Sequence, residues 1–230
     1  YAAMYQNTSV TNYVGLGYLA LSQDTTANVN TAVGHSALKV NTTGANNIAI
    51  GGSALDANTT ASNNVAVGTY ALTTNTTGSE NIAIGRSALE ANTSGTNNVA
   101  IGHSALDENT TASNSTAIGY QAAYSNATGG NLTAIGYQAL YNNTAANNLA
   151  IGYQAGYANT SGTENAFMGL SVGQSNTTGN YNTAIGGRYA LDRNTTGSSN
   201  TAVGYSALYA NTPASNNVAV GFQAGDAITT

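Results

Sequence analysis

Charged residues are scarce in this chain of 230 residues, and their scarcity argues against several classes of protein. Lys and Arg together number four and Asp and Glu nine, so 6 % of residues are charged, against about 25 % in an ordinary soluble domain. Four cations spread along the chain cannot neutralise a phosphate backbone, so we expect no nucleic-acid partner. No basic cluster or amphipathic basic segment indicates a membrane surface.

The residue types and segments that the chain lacks limit the class of protein further. The chain has no Cys, no Trp and one Pro, as expected of an exposed protein that relies on repetition rather than on disulfides. No apolar run approaches the roughly 20 residues of a transmembrane helix. The sequence begins at Tyr1 with no signal-peptide pattern. We therefore expect a processed product or a segment of a longer protein, without membrane insertion in this segment.

Apolar residues are present in ordinary number, and they are regularly placed. They make up 41 % of the chain, and the net charge is only -5. A disordered chain would combine low hydrophobicity with high net charge. The composition is low in complexity yet patterned, which favours an ordered repeat over a flexible linker.

A single tandem repeat covers residues 1–230. It aligns on the glycine that follows the Ala-Ile or Ala-Val motif of most repeats. The spacing is 17 residues, apart from one step of 16 (Gly136 to Gly152) and one of 18 (Gly186 to Gly204). These glycines are Gly17, Gly34, Gly51, Gly68, Gly85, Gly102, Gly119, Gly136, Gly152, Gly169, Gly186, Gly204 and Gly221.

Two short strands and a turn are predicted in each repeat. Val99-Ala100-Ile101 is β-branched at alternate positions, as in a strand with one buried face. Ala105-Leu106 is predicted as the second strand and a second buried anchor. A polar turn follows, in its commonest form Asn-Thr-Thr-Gly, as at Asn75 to Gly78. A helix is the competing interpretation, but about ten residues between helix breakers are too few.

Stacking of these units predicts an all-β β-solenoid of about thirteen 17-residue coils, because one unit cannot bury its own apolar face. At about 4.8 Å per strand, the array would be on the order of 60 Å long. Each coil offers few large aliphatic residues, so we expect several chains to associate. A homotrimeric fibre would bury the alanine face as well.

The string Asn-Asn-Val-Ala-Ile-Gly, with Ala three residues later, resembles the head repeats of YadA-like trimeric autotransporter adhesins. It occurs at Asn97 to Ala105, and close variants occur at Asn63 to Ala71 and Asn216 to Ala224. Asn200 to Thr212 resembles repeats of tail fibres. The resemblance implies a trimeric left-handed β-roll on a cell or virion surface. The period of 17 residues is longer than that of the adhesin head, and no anchor, stalk or chaperone segment is recognised.

Catalytic, metal and cofactor sites are not expected. His35 and His103 occupy the same repeat position four coils apart, about 19 Å by strand spacing. The nine acidic residues cannot supply the acid in every repeat that calcium-binding solenoids need. Asp107-Glu108, the one adjacent acidic pair, lies in a predicted turn. We therefore expect that the protein is not an enzyme and needs no cofactor.

Aromatic and amide residues recur in the second half of the chain and form a candidate glycan-binding strip. Its residues are Tyr120, Gln121, Tyr137, Gln138, Tyr153, Gln154, Tyr205 and Phe222. A second Tyr follows at Tyr124, Tyr141, Tyr157 and Tyr209. The first half instead carries His35, Lys39, Asp56, Arg86, Glu90, His103 and Asp107. The alternative is that the rings stabilise the solenoid by stacking, or pack chain against chain.

Threonine occupies the position after the turn asparagine in almost every repeat, from Thr25 to Thr229, with Ala127 as the exception, and Asp24 and Ile228 replace the asparagine itself at the two ends of the row. Regular threonine ranks can match an ice lattice, so an ice-binding solenoid is the alternative function. Sequons such as those at Asn58, Asn92 and Asn194 follow from the repeated turn. Phe167 in place of alanine, the extra residue near Gly187 and the shortened turn at Asn143 predict a local bulge.

The sequence therefore predicts a structural repeat segment of an extracellular fibre, adhesin or tail fibre at a cell or virion surface. We expect self-association, and weak multivalent binding of cell-surface glycans or a receptor along its side.

Overall fold

The computed structural model describes residues 13–26 and 29–226, and the chain divides into two compact units, residues 1–115 and 116–230. Each unit is an all-β parallel solenoid, as the sequence predicts, in which every strand pairs with the strand of the next repeat. The first unit contains β1 (Val14–Leu16), β2 (Thr31–Val33), β3 (Ile48–Ile50), β4 (Val65–Val67), β5 (Ile82–Ile84) and β6 (Val99–Ile101). The second contains β7 (Thr116–Ile118), β8 (Thr133–Ile135), β9 (Leu149–Ile151), β10 (Ala166–Leu170), β11 (Thr183–Arg188), β12 (Thr201–Val203) and β13 (Val218–Val220).

Pairing keeps equivalent residues in register, so that Ala49 lies opposite Ala66 and Ile50 opposite Val67. The glycine after each strand permits this close stacking. Gly51 has a φ of +134°, and a β-carbon there would lie 2.6 Å from the carbonyl oxygen of Gly68. Only glycine combines that backbone conformation with so close an approach.

In eleven of the thirteen described strands the second residue is an alanine that points into the coil, and the residues beside it point out. Ala49 is fully buried, whereas Ile48 and Ile50 keep 39 % and 40 % of their surface exposed. The expectation that the β-branched side chains form the core is therefore wrong. The interior of so short a coil is filled by strand alanines, by leucines from the opposite wall and by asparagines, which leaves no room for a second set of large residues.

The Ala-Leu segment is buried as predicted, but the predicted second strand is wrong. Ala54 and Leu55 are fully buried. Ser53 and Leu55, however, have φ values of 54° and 50°, so the segment is a chain of turns rather than an extended strand. Its amides still bond from coil to coil, since the Leu55 N–H donates to the Ala71 carbonyl at 3.0 Å.

Two asparagine rows lie inside the solenoid, a feature that the turn prediction missed. The turn row is Asn41, Asn58, Asn75, Asn92 and Asn109 in the first unit and Asn126, Asn143, Asn159, Asn176, Asn194 and Asn211 in the second, all buried. The pre-strand row is Asn30, Asn47, Asn64, Asn81, Asn98, Asn148, Asn165, Asn182 and Asn200, also buried. These side chains bond to the backbone and to the next coil, which is how a buried amide avoids a desolvation penalty.

The predicted bulge is confirmed between β10 and β11. Met168 pairs with Ile185, but the next pair joins Leu170 to Arg188, so the register shifts by one residue. Phe167 is fully buried, and its ring fills space that leucine occupies in other coils. Gly156 and Gly173 stand at those leucine positions, and a β-carbon on either would lie within 2.7 Å of the Phe167 ring.

Candidate functional site

The turn after each strand sets which side chains reach the surface. In the coil that begins at Gly136, Tyr137 keeps 43 % of its surface exposed, whereas Ala139 and Leu140 are fully buried. Gln138 and Leu140 both have left-handed φ values of 51°. The first residue after the glycine is therefore presented outward, and the third and fourth residues anchor the turn in the core.

Three tyrosines of the predicted strip form a continuous stack. The ring centroids of Tyr120 and Tyr137 lie 5.3 Å apart at an angle of 10°. Those of Tyr137 and Tyr153 lie 5.1 Å apart at 7°. Tyr137 therefore has a neighbouring ring on both faces, and what it shows to solvent is its edge and hydroxyl group.

The glutamines of the strip form a hydrogen-bonded chain in the same coils. The side-chain amide of Gln138 donates to Gln121 Oε1 at 2.9 Å, and that of Gln154 donates to Gln138 Oε1 at 3.0 Å. Gln174 continues the chain by donating to Gln154 Oε1 at 2.9 Å. Gln174 was not predicted from the sequence, because it stands three positions later in its own coil than the other glutamines.

The second tyrosine row is a parallel stack that is half-buried. Tyr124 and Tyr141 lie 5.2 Å apart, as do Tyr141 and Tyr157. Gln174 occupies the repeat position of this row and bonds to a glutamine of the strip. The second tyrosine row therefore borders the glutamine chain. The glutamines of that chain from Gln121 to Gln154 directly follow the tyrosines of the first row in sequence.

Tyr205 and Phe222 form a separate pair within the second unit. Their rings stack at 5.3 Å, but Leu170 and its register partner Arg188 stand at the aromatic position in the two coils between Tyr153 and Tyr205. The structure thus brings six of the eight predicted residues together, from Tyr120 to Gln154, and leaves the other two apart.

Charge separates the strip from the equivalent surface of the first unit. No charged residue or histidine occurs from Asn109 to Thr163. In the first unit, Lys39 Nζ lies 3.9 Å from Asp56 Oδ1, and the His35 ring lies 5.3 Å from the Tyr18 ring. The strip is therefore an uncharged surface of hydroxyl and amide groups.

Two carboxyl groups outside the strip have raised pKa values. Burial raises the pKa of Asp107, and a hydrogen bond with Ser104 partly offsets the effect. Burial also raises the pKa of Asp192, against the nearby charge of Arg193. Both carboxylates are thus less favourable in the folded chain than in water.

The histidines do not share a site in the described structure. His35 and His103 follow the glycines of different coils in the first unit. Within residues 13–26 and 29–226, no three His, Asp or Glu side chains lie close enough together to hold a metal ion. No helix among these residues is long and apolar enough to cross a membrane.

The outward strand residues form an apolar surface that sequence analysis placed in the core. We name the first and third residues of the strands of each unit the strand face of that unit. It carries no charged side chain, and in the first unit all its residues except Thr31 are apolar. Ile48, Ile50, Ile82 and Ile84 keep 38 to 40 % of their surface exposed. The signal for this arrangement was the small alanine that stands between the two outward residues in eleven of the thirteen described strands.

The threonine row and the sequons are constrained by intrachain bonds. Thr42 and Thr93 donate their hydroxyl hydrogens to backbone carbonyls of the next coil, each at 3.0 Å. Thr229 lies outside the described residues. Asn58, Asn92 and Asn194 are fully buried, so these three sequons are inaccessible to a glycosylating enzyme in the folded chain.

No protein family matches this chain by sequence profile, and no curated protein or solved structure matches it.

Proposed function

We propose that this chain is the structural repeat segment of an extracellular fibre, adhesin or tail fibre on a cell or virion surface, in which three copies associate through their strand faces. The observation that carries the proposal is the exposed, uncharged strand face of the first unit. Contiguous exposed apolar surface of this kind marks interaction sites. Its repetition in each coil suits an identical repetitive partner.

The repeat pattern supports the same proposal. Asn97 to Ala105 resembles the head repeats of YadA-like trimeric adhesins. The interior holds alanine, leucine and asparagine, so a lone solenoid buries little large aliphatic surface. Association of three chains would remove the isoleucine and valine side chains from water and stabilise each chain.

Mass measurement in solution tests the association. Light scattering and native mass spectrometry of the purified chain should give a trimer. Lysine at Ile82 and Ile84, both 38 % exposed, should dissociate it, because a charge cannot be buried unpaired in an apolar interface. Lysine at Thr60 and Thr77, exposed turn positions of the same unit, is the matched control and should leave the trimer intact. A wild-type chain that is monomeric would contradict the proposal.

Glycan binding along the strip is the second part of the proposed function. The exposed tyrosine edges and glutamine amides repeat in each coil from Tyr120 to Gln154, which suits weak multivalent binding. Alanine at Tyr137 and Tyr153 would remove ring stacks as well as binding groups. Phenylalanine at the same two positions removes only the hydroxyl groups. If the phenylalanine variant loses glycan-array binding and keeps its Tm, the tyrosines bind glycan. If the wild type binds no glycan and the alanine variant has a lower Tm, the tyrosines contribute to stability alone.

Ice binding through the threonine row is the alternative function. The row is regular and partly exposed, which favours it. The hydroxyl hydrogens of Thr42 and Thr93, however, are already donated to the backbone, which leaves these groups only as acceptors. A thermal-hysteresis measurement tests it directly, and freezing-point depression that is lost on valine substitution at Thr59 and Thr76 would favour this alternative over the fibre.

A further inference from the structure

The tyrosine stack limits how a sugar can meet the strip. Tyr137 has Tyr120 at 5.3 Å on one face and Tyr153 at 5.1 Å on the other. A sugar ring cannot lie on a covered face without separating the stack. The ligand must therefore contact the ring edges and form hydrogen bonds with the phenol hydroxyls and the glutamine amides.

Spacing along the solenoid favours one class of glycan. Equivalent tyrosines recur every 5.1 to 5.3 Å. An extended β-1,4-linked polysaccharide is straight, because both linkage bonds are equatorial, and it advances by nearly this distance per sugar. Successive sugars of such a chain face opposite ways, so every sugar would stay in step with a coil and every second sugar would meet the groups in the same orientation. An α-1,4-linked glucan curves into a helix and would fall out of step after one or two coils.

The absence of charged side chains in the strip narrows the class of glycan further. No charged residue or histidine occurs from Asn109 to Thr163, so these three coils supply no cation to pair with a sulfate, a sialic acid or a uronate, and Arg188 in the same row lies two coils beyond Tyr153. An acidic glycan would lose hydration at this surface without gaining a partner. Hydroxyl and amide groups can instead exchange hydrogen bonds with the neutral hydroxyl or acetamido groups of a sugar.

We propose that the three coils of Tyr120, Tyr137 and Tyr153 bind an extended, uncharged β-1,4-linked glycan of the chitin or cellulose type, parallel to the solenoid axis. The proposal rests on the glycan-binding role of the strip. Each sugar adds only one or two hydrogen bonds of modest net strength, so affinity should rise on the order of two- to tenfold per sugar. The rise should level off once the ligand spans the three coils, because Leu170 ends the tyrosine row.

The test is calorimetric and NMR titration of the full chain with β-1,4-linked N-acetylglucosamine and glucose oligomers of increasing length. Oligomers of α-1,4-linked glucose control for geometry, and sulfated or uronate oligomers control for charge. The Tyr120→Phe/Tyr137→Phe/Tyr153→Phe variant removes three hydroxyls and keeps the stack. The Tyr18→Phe/Tyr70→Phe/Tyr181→Phe variant makes the same change at three exposed tyrosines outside the strip and is the matched control.

Length-dependent binding of the β-1,4 series, weakened at least tenfold in the first variant and unchanged in the second, is the expected result. Binding of α-linked or acidic glycans instead, still lost in the first variant, would overturn the proposed class and leave the glycan-binding strip standing. Binding that both variants retain would overturn the site. If no glycan binds to a chain that forms trimers normally, the strip is structural, and only the fibre part of the proposed function stands.

Discussion

Buried asparagine is the distinctive residue-scale feature of both units. Asn75 donates to Asn58 Oδ1 at 3.2 Å and to the Gly78 carbonyl at 2.9 Å, and it accepts from the side-chain amide of Asn92 at 2.8 Å. Each amide of the turn row thus closes its own turn and joins it to a neighbouring coil. These bonds sit where water cannot replace them, so they specify register as well as stability.

Loss of one turn asparagine should therefore be costly. We expect Asn75→Ala to lower the free energy of unfolding by about 1–3 kcal/mol, because Asn58 Oδ1 is left buried without a donor. Urea and thermal unfolding followed by circular dichroism measure the change. Thr77→Ala, an exposed position in the same turn, should stay within about 0.5 kcal/mol of the wild type. Equal effects of the two substitutions would contradict a stabilising asparagine row.

The raised pKa values of Asp107 and Asp192 predict a pH dependence. The folded chain binds their protons more tightly than the unfolded chain, so their contribution to stability is present below the unfolded pKa of about 3.8 and is lost as pH rises through the folded pKa. We expect Asp107→Asn and Asp192→Asn each to raise Tm at pH 7. The gain should disappear near pH 3, where the carboxyl groups are protonated. A Tm difference that does not depend on pH would contradict this explanation.

At the scale of the element, neighbouring coils exchange one small core residue for a large one and two large core residues for small ones. Phe167 replaces the strand alanine, and Gly156 and Gly173 replace the leucine of two coils. The ring occupies the space beside both glycines. These coils therefore depart from the repeat in sequence, and the Phe167 ring fills the space beside the two glycines, as dense core packing requires.

This exchange predicts a compensation between substitutions. Phe167→Ala alone should cost about 3–5 kcal/mol by leaving a cavity. Gly156→Leu alone should also destabilise, because its β-carbon would lie 2.7 Å from the Phe167 ring. The variant with Phe167→Ala, Gly156→Leu and Gly173→Leu should recover most of the loss, since leucine tolerates this backbone in other coils, as at Leu140 with a φ of 51°. Additive losses in the triple variant, measured by urea unfolding, would show that the positions are not coupled.

At the scale of the whole molecule, stability comes from contacts between consecutive repeats. Within each unit, strand pairing, the coil-to-coil bonds of the turn amides and the asparagine bonds along the turn row join residues 15 to 19 positions apart. The stability of such an array is approximately the sum of the stabilities of its similar repeats and of the interfaces between them. It has no central core whose loss would unfold everything at once.

Deletion of one whole repeat should therefore be tolerated. Removal of residues 69–85 joins Gly68 to Arg86, restores the repeat pattern and should give a folded chain with a modestly lower Tm. Removal of residues 69–76 alone would place turn residues opposite the strand residues of a neighbouring coil, and it should therefore disrupt the unit. Circular dichroism and hydrogen exchange distinguish the two. An unfolded product of the 17-residue deletion would show that the repeats are not interchangeable.

A part of the fold could be predicted from the sequence where the repeat period alone defines it. Identical residues every 17 positions must stack when coils stack, so the parallel solenoid, the Ala-Leu anchor, the bulge near Phe167 and the aromatic rows were readable from the sequence. The trimer, the surface location and the absence of catalysis remain predictions, because they concern partners and chemistry that lie beyond one chain's fold.

Only the tertiary structure decided which way the strands face. Alternation in Val99-Ala100-Ile101 defines two faces but does not say which is inside, and the usual preference for buried β-branched residues selects the wrong one. The narrow interior admits alanine, leucine and bonded asparagine, and it forces isoleucine and valine outward. The same geometry brings tyrosine rings of neighbouring coils to 5.1–5.3 Å and covers their faces. The sequence by itself thus determined the period and the rows, while the width of the coil decided which rows are buried.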